Sequence, residues 1–176
     1  MRVIDILLSL FAVLLCLPLL LFVFLFILFT SGNPIFTQTR VGYNQRPFTI
    51  YKFRTMKEHT KWLPTHEIPL DSIIKGGYFL RRSRLDELPQ LLNVIKGDMS
   101  IVGPRPCLAS QTELIELRKK RGCYEVKPGI TGLSQINNID MSSPKSLAKV
   151  DQLMLRNFNI CFYFSILFRT MIRFIM

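Results

Sequence analysis

The sequence predicts a mainly helical α+β membrane protein with an apolar N-terminal helix, a small β-hairpin and amphipathic helices at the membrane interface. Three observations predict this. Residues 6–29 contain no charged side chain, and as a helix they would extend about 36 Å, enough to cross a bilayer. Hydrophobic residues make up 49% of the chain while the net charge is +11, a pairing that suits an apolar protein facing an anionic surface better than a soluble domain. Between the apolar ends, segments rich in Thr, Phe, Ile and Tyr give way to segments with apolar residues at helical spacing.

The N-terminal run is too long for a cleavable signal peptide and ends in no small-residue cleavage site. Pro18 sits at its middle, removes one backbone donor and predicts a kink. Two topologies stay open on the residues alone: a tilted span, or a kinked helix that dips into one leaflet and returns. Arg2 precedes the run and Arg40, Arg46, Lys52 and Arg54 follow it, so the positive-inside rule favours the hairpin, while Asp5 beside Arg2 weakens that count.

"SGNP" breaks the first helix. "PIFTQTRVG" and "RPFTIYKFRTM", on either side of Gly42-Tyr43-Asn44-Gln45, read as a β-hairpin. Residues 57–76, with Pro64 and Pro69, read as a long surface loop in which His59 and His66 are solvated. Leu88, Leu91, Leu92 and Ile95 then mark a helix that Lys96-Gly97-Asp98 ends. "VGPRP" is a rigid turn that presents Arg105. "SQTELIELRKKR" reads as a short helix whose basic end suits the dipole, "KPGITGLSQINN" as a loop, and "SPKSLAKVDQLMLRN" as a helix. The last segment, "NFNICFYFSILFRTMIRFIM", carries Arg169 and Arg173 on one face and is expected to lie in the interface with both toward headgroups. Cys16, Cys107, Cys123 and Cys161 show no CxxC spacing, which removes zinc and thioredoxin-like chemistry and leaves four reduced thiols.

The acidic pair Asp86-Glu87 stands out in a chain with 23 Lys plus Arg against 12 Asp plus Glu. Carboxylates at a helix start are stabilised by the dipole whatever their function. The same field, with Arg81, Arg82 and Arg84 nearby, would keep Asp86 ionised and oriented, and such a carboxylate can attack phosphorus or hold Mg²⁺. Lys52, Arg81 and Arg105 read either as solvated cations or as a phosphate site, because phosphoryl transfer needs mainly positioning and charge neutralisation.

"QTRVGYNQRPFTIYKFRTM", "RLDELPQLLNVIKGDMSIVGPRP" and "KPGITGLSQIN" together resemble the bacterial sugar transferases, the small monotopic polyprenyl-phosphate phosphoglycosyl transferases. The resemblance covers nearly the whole chain and implies transfer of a sugar 1-phosphate from a UDP-sugar to undecaprenyl phosphate, with UMP released. It implies Mg²⁺, held in part by Asp86, and ping-pong kinetics through a phosphosugar intermediate on Asp86. Glu87 is then expected to assist proton transfer, and Lys52, Arg81 and Arg105 to bind phosphate or nucleotide. The implied layout is a re-entrant membrane helix in one leaflet at 1–30, a catalytic domain on the cytoplasmic face of the bacterial inner membrane at 31–157, and an interface helix at 158–176. An N-acetylated amino sugar is the expected sugar, the product would begin assembly of a membrane-linked glycan, and a homodimer stays open. Nucleic acid is not an expected partner, since no aromatic residues interleave with the basic ones in a binding motif. Two features depart from the family pattern: Leu17 replaces the usual Ser before Pro18, and Asn138-Ile139-Asp140 replaces Gly-Arg after Gln135-Ile136-Asn137. The competing readings are a polybasic membrane-anchored binding module, for which Asp86 would not matter, and a lipid phosphatase, which would release inorganic phosphate and no UMP.

Overall fold

The computed structural model describes residues 1–58 and 72–175. Its first helix, α1 (Arg2–Ser31), is long and apolar enough to cross a membrane by length and composition. The helix continues through Pro18, so that residue does not end it. Gly32, at φ 80°, stops it.

Only the two ends of α1 are buried. At the N-terminal end, Arg2 donates to the carbonyls of Val94 at 2.5 Å and Ile95 at 2.9 Å. Asp5 is buried and accepts from Ser100 Oγ, the Ile101 amide and Tyr163 Oη. At the C-terminal end, Val23 and Ile27 join Phe53, Ile74 and Leu80 in one apolar cluster. None of residues 10–22 is buried. Arg2 and Asp5 therefore tie the helix to the domain that follows it. Asp5 neutralises no topogenic charge in solvent; three donors hold it inside the protein.

Strands β1 (Ile35–Val41) and β2 (Pro47–Phe53) form the expected antiparallel hairpin, with Ile35 opposite Phe53 and Val41 opposite Pro47. A 3₁₀ turn at Tyr43–Gln45 joins them, with Asn44 and Gln45 at positive φ. The predicted loop 57–76 is pinned where its ends are described: the Lys57 amide donates to the Ser72 carbonyl, and Met56 bridges Ile73. His59 and His66 lie outside the described residues.

The predicted single helix around the acidic pair is two pieces. After α2 (Gly77–Arg82), a 3₁₀ turn at Leu85–Glu87 carries the acids, and α3 (Gln90–Lys96) begins only after Pro89. Arg84 enters the turn at φ 54°, a left-handed conformation that costs a non-glycine residue about 1 kcal/mol or more. The first turn of α3 therefore lies beyond the acids, and neither carboxylate caps it. Gly97, at φ 103°, ends α3 as expected.

"KPGITG" differs most from its predicted loop. Gly129–Thr131 is a strand, β4, paired in parallel with β3 (Ser100–Val102). The backbones then converge: a Cβ on Gly129 would lie 2.0 Å from the Gly103 nitrogen, so only glycine fits there. Two motifs separated by a helix in sequence thus form one ladder. Helices α5 (Leu133–Ile136) and α6 (Pro144–Arg156) bring Leu133, Ile136 and Met154 into the apolar cluster around Val102 of β3, and α4 (Thr112–Lys119) packs on α6 through Leu114, Leu147 and Ala148.

Helix α7 (Ile160–Ile175) is amphipathic in a more specific way than expected. Tyr163 and Ile166 are fully buried against Val102 and Met154, while Ile160, Phe164, Phe168 and Met171 form an exposed apolar stripe. Arg169 is exposed, but Arg173 turns back and hydrogen-bonds the Gln135 carbonyl and the Asn138 side chain. A guanidinium near the end of α5 satisfies carbonyl and amide oxygens there, which is why it does not simply point outward. All four cysteines are free, and Cys107 and Cys123 are buried.

Candidate active site

Lys52 comes from β2, Glu87 from the 3₁₀ turn and Arg105 from the proline-flanked turn after β3. The fold brings them together. Lys52 Nζ is 2.8 Å and Arg105 Nη2 is 2.5 Å from the same oxygen, Glu87 Oε1. Burial alone would raise the Glu87 carboxyl, but the charges of Arg105 and Lys52, and their hydrogen bonds, hold it far below the usual carboxylate range. Glu87 is thus a fixed anion that clamps two cations.

Asp86 differs. Burial, and then the neighbouring Glu87 charge, push its carboxyl up to about 6, against the downward pull of Lys52, Arg81 and Arg105. The sequence predicts that the cations dominate; in the folded chain burial, and after it the Glu87 charge, outweigh them. Asp86 remains mainly ionised at neutral pH. Arg81, at the end of α2, contributes charge to Asp86, and no hydrogen bond joins its side chain to either acid among the described residues.

The positioning contacts were not legible as such in the sequence. Asn93, wholly buried on α3, accepts from the Tyr51 amide at 3.0 Å and donates to the Thr49 carbonyl at 2.7 Å. It stitches α3 to the edge of β2 and so sets Lys52 opposite Glu87. A polar residue inside an apolar helical run was the available signal. Arg118, which looked like one of four dipole-matching cations in "RKKR", is 2% exposed. Its guanidinium binds Asp151 at 2.6 and 2.9 Å and the Arg105 carbonyl at 2.8 Å. Ser134 Oγ completes Asp151 at 3.2 Å. Helices α4, α5 and α6 therefore converge on the backbone of the Arg105 turn. Arg118→Leu would leave Asp151 buried and unpaired, which costs about 3–5 kcal/mol. A fall in thermal midpoint of roughly 6–20 °C is expected in a detergent-solubilised unfolding scan.

The donor set fits Mg²⁺ only with help from a ligand. Among the described residues no group of three His, Cys, Asp or Glu side chains could hold a metal ion. Glu87 Oε1 is already shared by two cations, which leaves Asp86 as the available carboxylate. Mg²⁺ is commonly held by one or two carboxylates together with substrate phosphates, so a diphosphate bound beside Asp86 would complete the set.

A carboxylate free to react, beside a second one clamped by Lys and Arg, suits attack on a phosphoryl group. Comparison with known proteins agrees in kind: the bacterial sugar transferase family matches residues 1–176. The chain belongs to the bacterial sugar transferase family. It is 44% identical over 140 residues to the UDP-glucose:undecaprenyl-phosphate glucose-1-phosphate transferase of Escherichia coli, covering 76% of this chain and 30% of that protein. It is 44% identical over 111 residues to a putative undecaprenyl-phosphate N-acetylgalactosaminyl 1-phosphate transferase of Bacillus subtilis, covering 60% of each. An uncharacterized sugar transferase of Bacillus subtilis, EpsL, is 49% identical over 111 residues, 60% of this chain and 52% of that protein. The chain thus spans less than two thirds of the length of each of these three relatives.

Proposed function

We propose that this sugar transferase moves a sugar 1-phosphate from a UDP-sugar to undecaprenyl phosphate in two displacements at Asp86, the first membrane step of glycan assembly. The observation that carries the proposal is the division of labour in the acidic pair: Glu87 holds Lys52 and Arg105, and Asp86 is left to react. In the first step an Asp86 oxygen forms a bond to the sugar-linked phosphorus, and the bond from that phosphorus to the bridging oxygen breaks. UMP departs with the electron pair. In the second step a phosphate oxygen of the lipid attacks the same phosphorus and releases Asp86. Charge balances in both steps with a dianionic phosphate monoester, so no proton need be removed, and Glu87 acts by positioning its cations. Mg²⁺, held by Asp86 and the donor's phosphates, would supply charge neutralisation. The names of the relatives, which specify glucose 1-phosphate and N-acetylgalactosaminyl 1-phosphate transfer, support the general reaction. An N-acetylated amino sugar is the substrate we favour. A panel of UDP-sugars with undecaprenyl phosphate and Mg²⁺, read by UMP release, tests this. Release of inorganic phosphate without UMP would favour the phosphatase instead.

We also propose that α1 enters one leaflet and returns, with the catalytic domain on the cytoplasmic face. Both ends of α1 dock on the same domain, and a straight span would carry one end about 30 Å away across the hydrocarbon. The exposed apolar stripe of α7 would rest on the same surface. A cysteine at exposed Val3, with Cys16 and Cys161 replaced, should stay unlabelled by an impermeant thiol reagent in intact cells and become labelled in inverted vesicles. Labelling in intact cells would establish a span.

A further inference from the structure

A small cleft lies beside the Glu87 clamp, lined by Arg40, Ile50, Lys52, Gln90, Arg105 and Pro106. Two donors on these side chains, Arg40 Nε and Gln90 Nε2, are buried without a hydrogen-bond partner among the described residues. Gln90 is only 3% exposed, so water does not readily satisfy it. The Arg40 guanidinium is fixed by its other nitrogens: Nη2 donates to Gln38 Oε1 at 2.6 Å and Nη1 to the Pro106 carbonyl at 3.4 Å. Three cations, Arg40, Lys52 and Arg105, meet around this cleft against the charges of Glu87, which pairs with two of them, and of Asp86, which lies in their field; one positive charge is in excess, and two once Asp86 carries a phosphosugar ester. Burial and the Arg105 charge push Arg40 down to about 10, the direction expected for cations crowded together. Unmatched donors and surplus positive charge in one cleft suit an acceptor-only ligand of charge near −2.

Attacking and leaving oxygens sit on opposite sides of the phosphorus in an in-line displacement. The group that leaves when Asp86 attacks, and the group that later displaces Asp86, must therefore occupy the same side. Both are phosphate monoesters. We propose that Arg40 and Gln90 complete, with Lys52 and Arg105, a cradle for a phosphate monoester dianion that the departing nucleotide and the entering lipid phosphate occupy in turn. The proposal rests on the two-displacement reading above. A neutral donor at Gln90 adds a hydrogen bond without a fourth positive charge, which lets the product leave.

The test uses the full chain in detergent micelles, without UDP-sugar. Titration calorimetry measures UMP, uridine and a short-chain prenyl phosphate. UMP should bind at least tenfold more tightly than uridine, and the prenyl phosphate should displace it competitively. Gln90→Glu, which replaces a donor by an anion of nearly the same shape, should weaken UMP and prenyl phosphate alike by tenfold or more and leave uridine unchanged. Arg40→Lys, which keeps the charge and removes Nε, should weaken both phosphates and serves if Gln90→Glu does not fold. Simultaneous binding of UMP and prenyl phosphate to the wild type would overturn the proposal, as would either variant affecting UMP alone or neither ligand. Labelled UDP-sugar with Mg²⁺ and no acceptor separates the two readings. A covalent adduct with no effect of the variants on phosphate binding refutes the cradle alone. Competitive phosphate binding without an adduct refutes the two-displacement reading and leaves a phosphate site.

Discussion

Asp86→Asn is expected to abolish transfer and, at neutral pH, to make the protein more stable. The amide has nearly the same shape and is a poor nucleophile, so labelled UDP-sugar should leave no adduct and UMP release should fall to background. The stability gain follows from linkage. Asp86 titrates at about 6 in the folded chain against 3.8 for an ordinary aspartate. Between those values the folded state holds more protons than the unfolded state, so stability falls as pH rises, and the full penalty is present above pH 6. After discount for partial exposure the penalty is about 1 kcal/mol, or a rise of roughly 2–4 °C in thermal midpoint for Asp86→Asn at pH 7.5. The gain should vanish near pH 4, where both states hold the proton for much of the time. Wild-type turnover should drop about tenfold per pH unit below 6, as the nucleophile protonates. A variant that retains turnover, or one destabilised at pH 7.5, would contradict the assignment.

Glu87→Gln is expected to lose both activity and stability. The substitution leaves Lys52 and Arg105 partly buried with no anion between them. Breaking such a pair costs about 3–5 kcal/mol, and the exposure of Arg105, 35% of its side chain, places this case near the lower end. A fall of roughly 6–12 °C in thermal midpoint at pH 7.5 corresponds to that loss. The sign with pH is opposite to that of Asp86. Glu87 is depressed below its ordinary 4.5, so its contribution is complete above 4.5 and declines as pH falls below it. The gap between wild type and Glu87→Gln should therefore narrow on acidification. Glu87→Asp keeps the charge but is one methylene shorter. It should retain more stability than Gln while losing most turnover, because one shortened carboxylate cannot reach both cations. A stable, inactive Glu87→Gln would mean instead that the glutamate handles a proton and holds nothing.

The β-hairpin and the glycine that ends α3 could be read directly, because alternation, turn chemistry and positive φ are local properties. The site residues and separate roles for the acidic pair were nameable through the resemblance of three motifs, but the clamp of Glu87 on two cations was not. Sequence proximity made Asp86 and Glu87 look alike. Which carboxylate is clamped depends on Lys52, 35 residues away, and Arg105, 18 residues away. Arg118 and Arg173 looked like freely solvated cations because composition does not say which guanidinium a fold will tie to a carbonyl, buried in the case of Arg118 and at the surface in the case of Arg173. Asp5 looked like a topogenic charge for the same reason.

The sequence by itself determined the apolar length of α1, the surplus of positive charge and the motif succession, since each is a property of neighbouring residues. Only the tertiary structure decided that "KPGITG" is a strand beside "SIVGP", that Asn93 aligns β2 with the acidic turn, and that Arg40 and Gln90 flank Lys52 and Arg105. Those outcomes come from satisfying buried donors and acceptors across long separations. Local propensity carries no information about them, because the partner of a buried polar group is chosen by the packing of the whole domain.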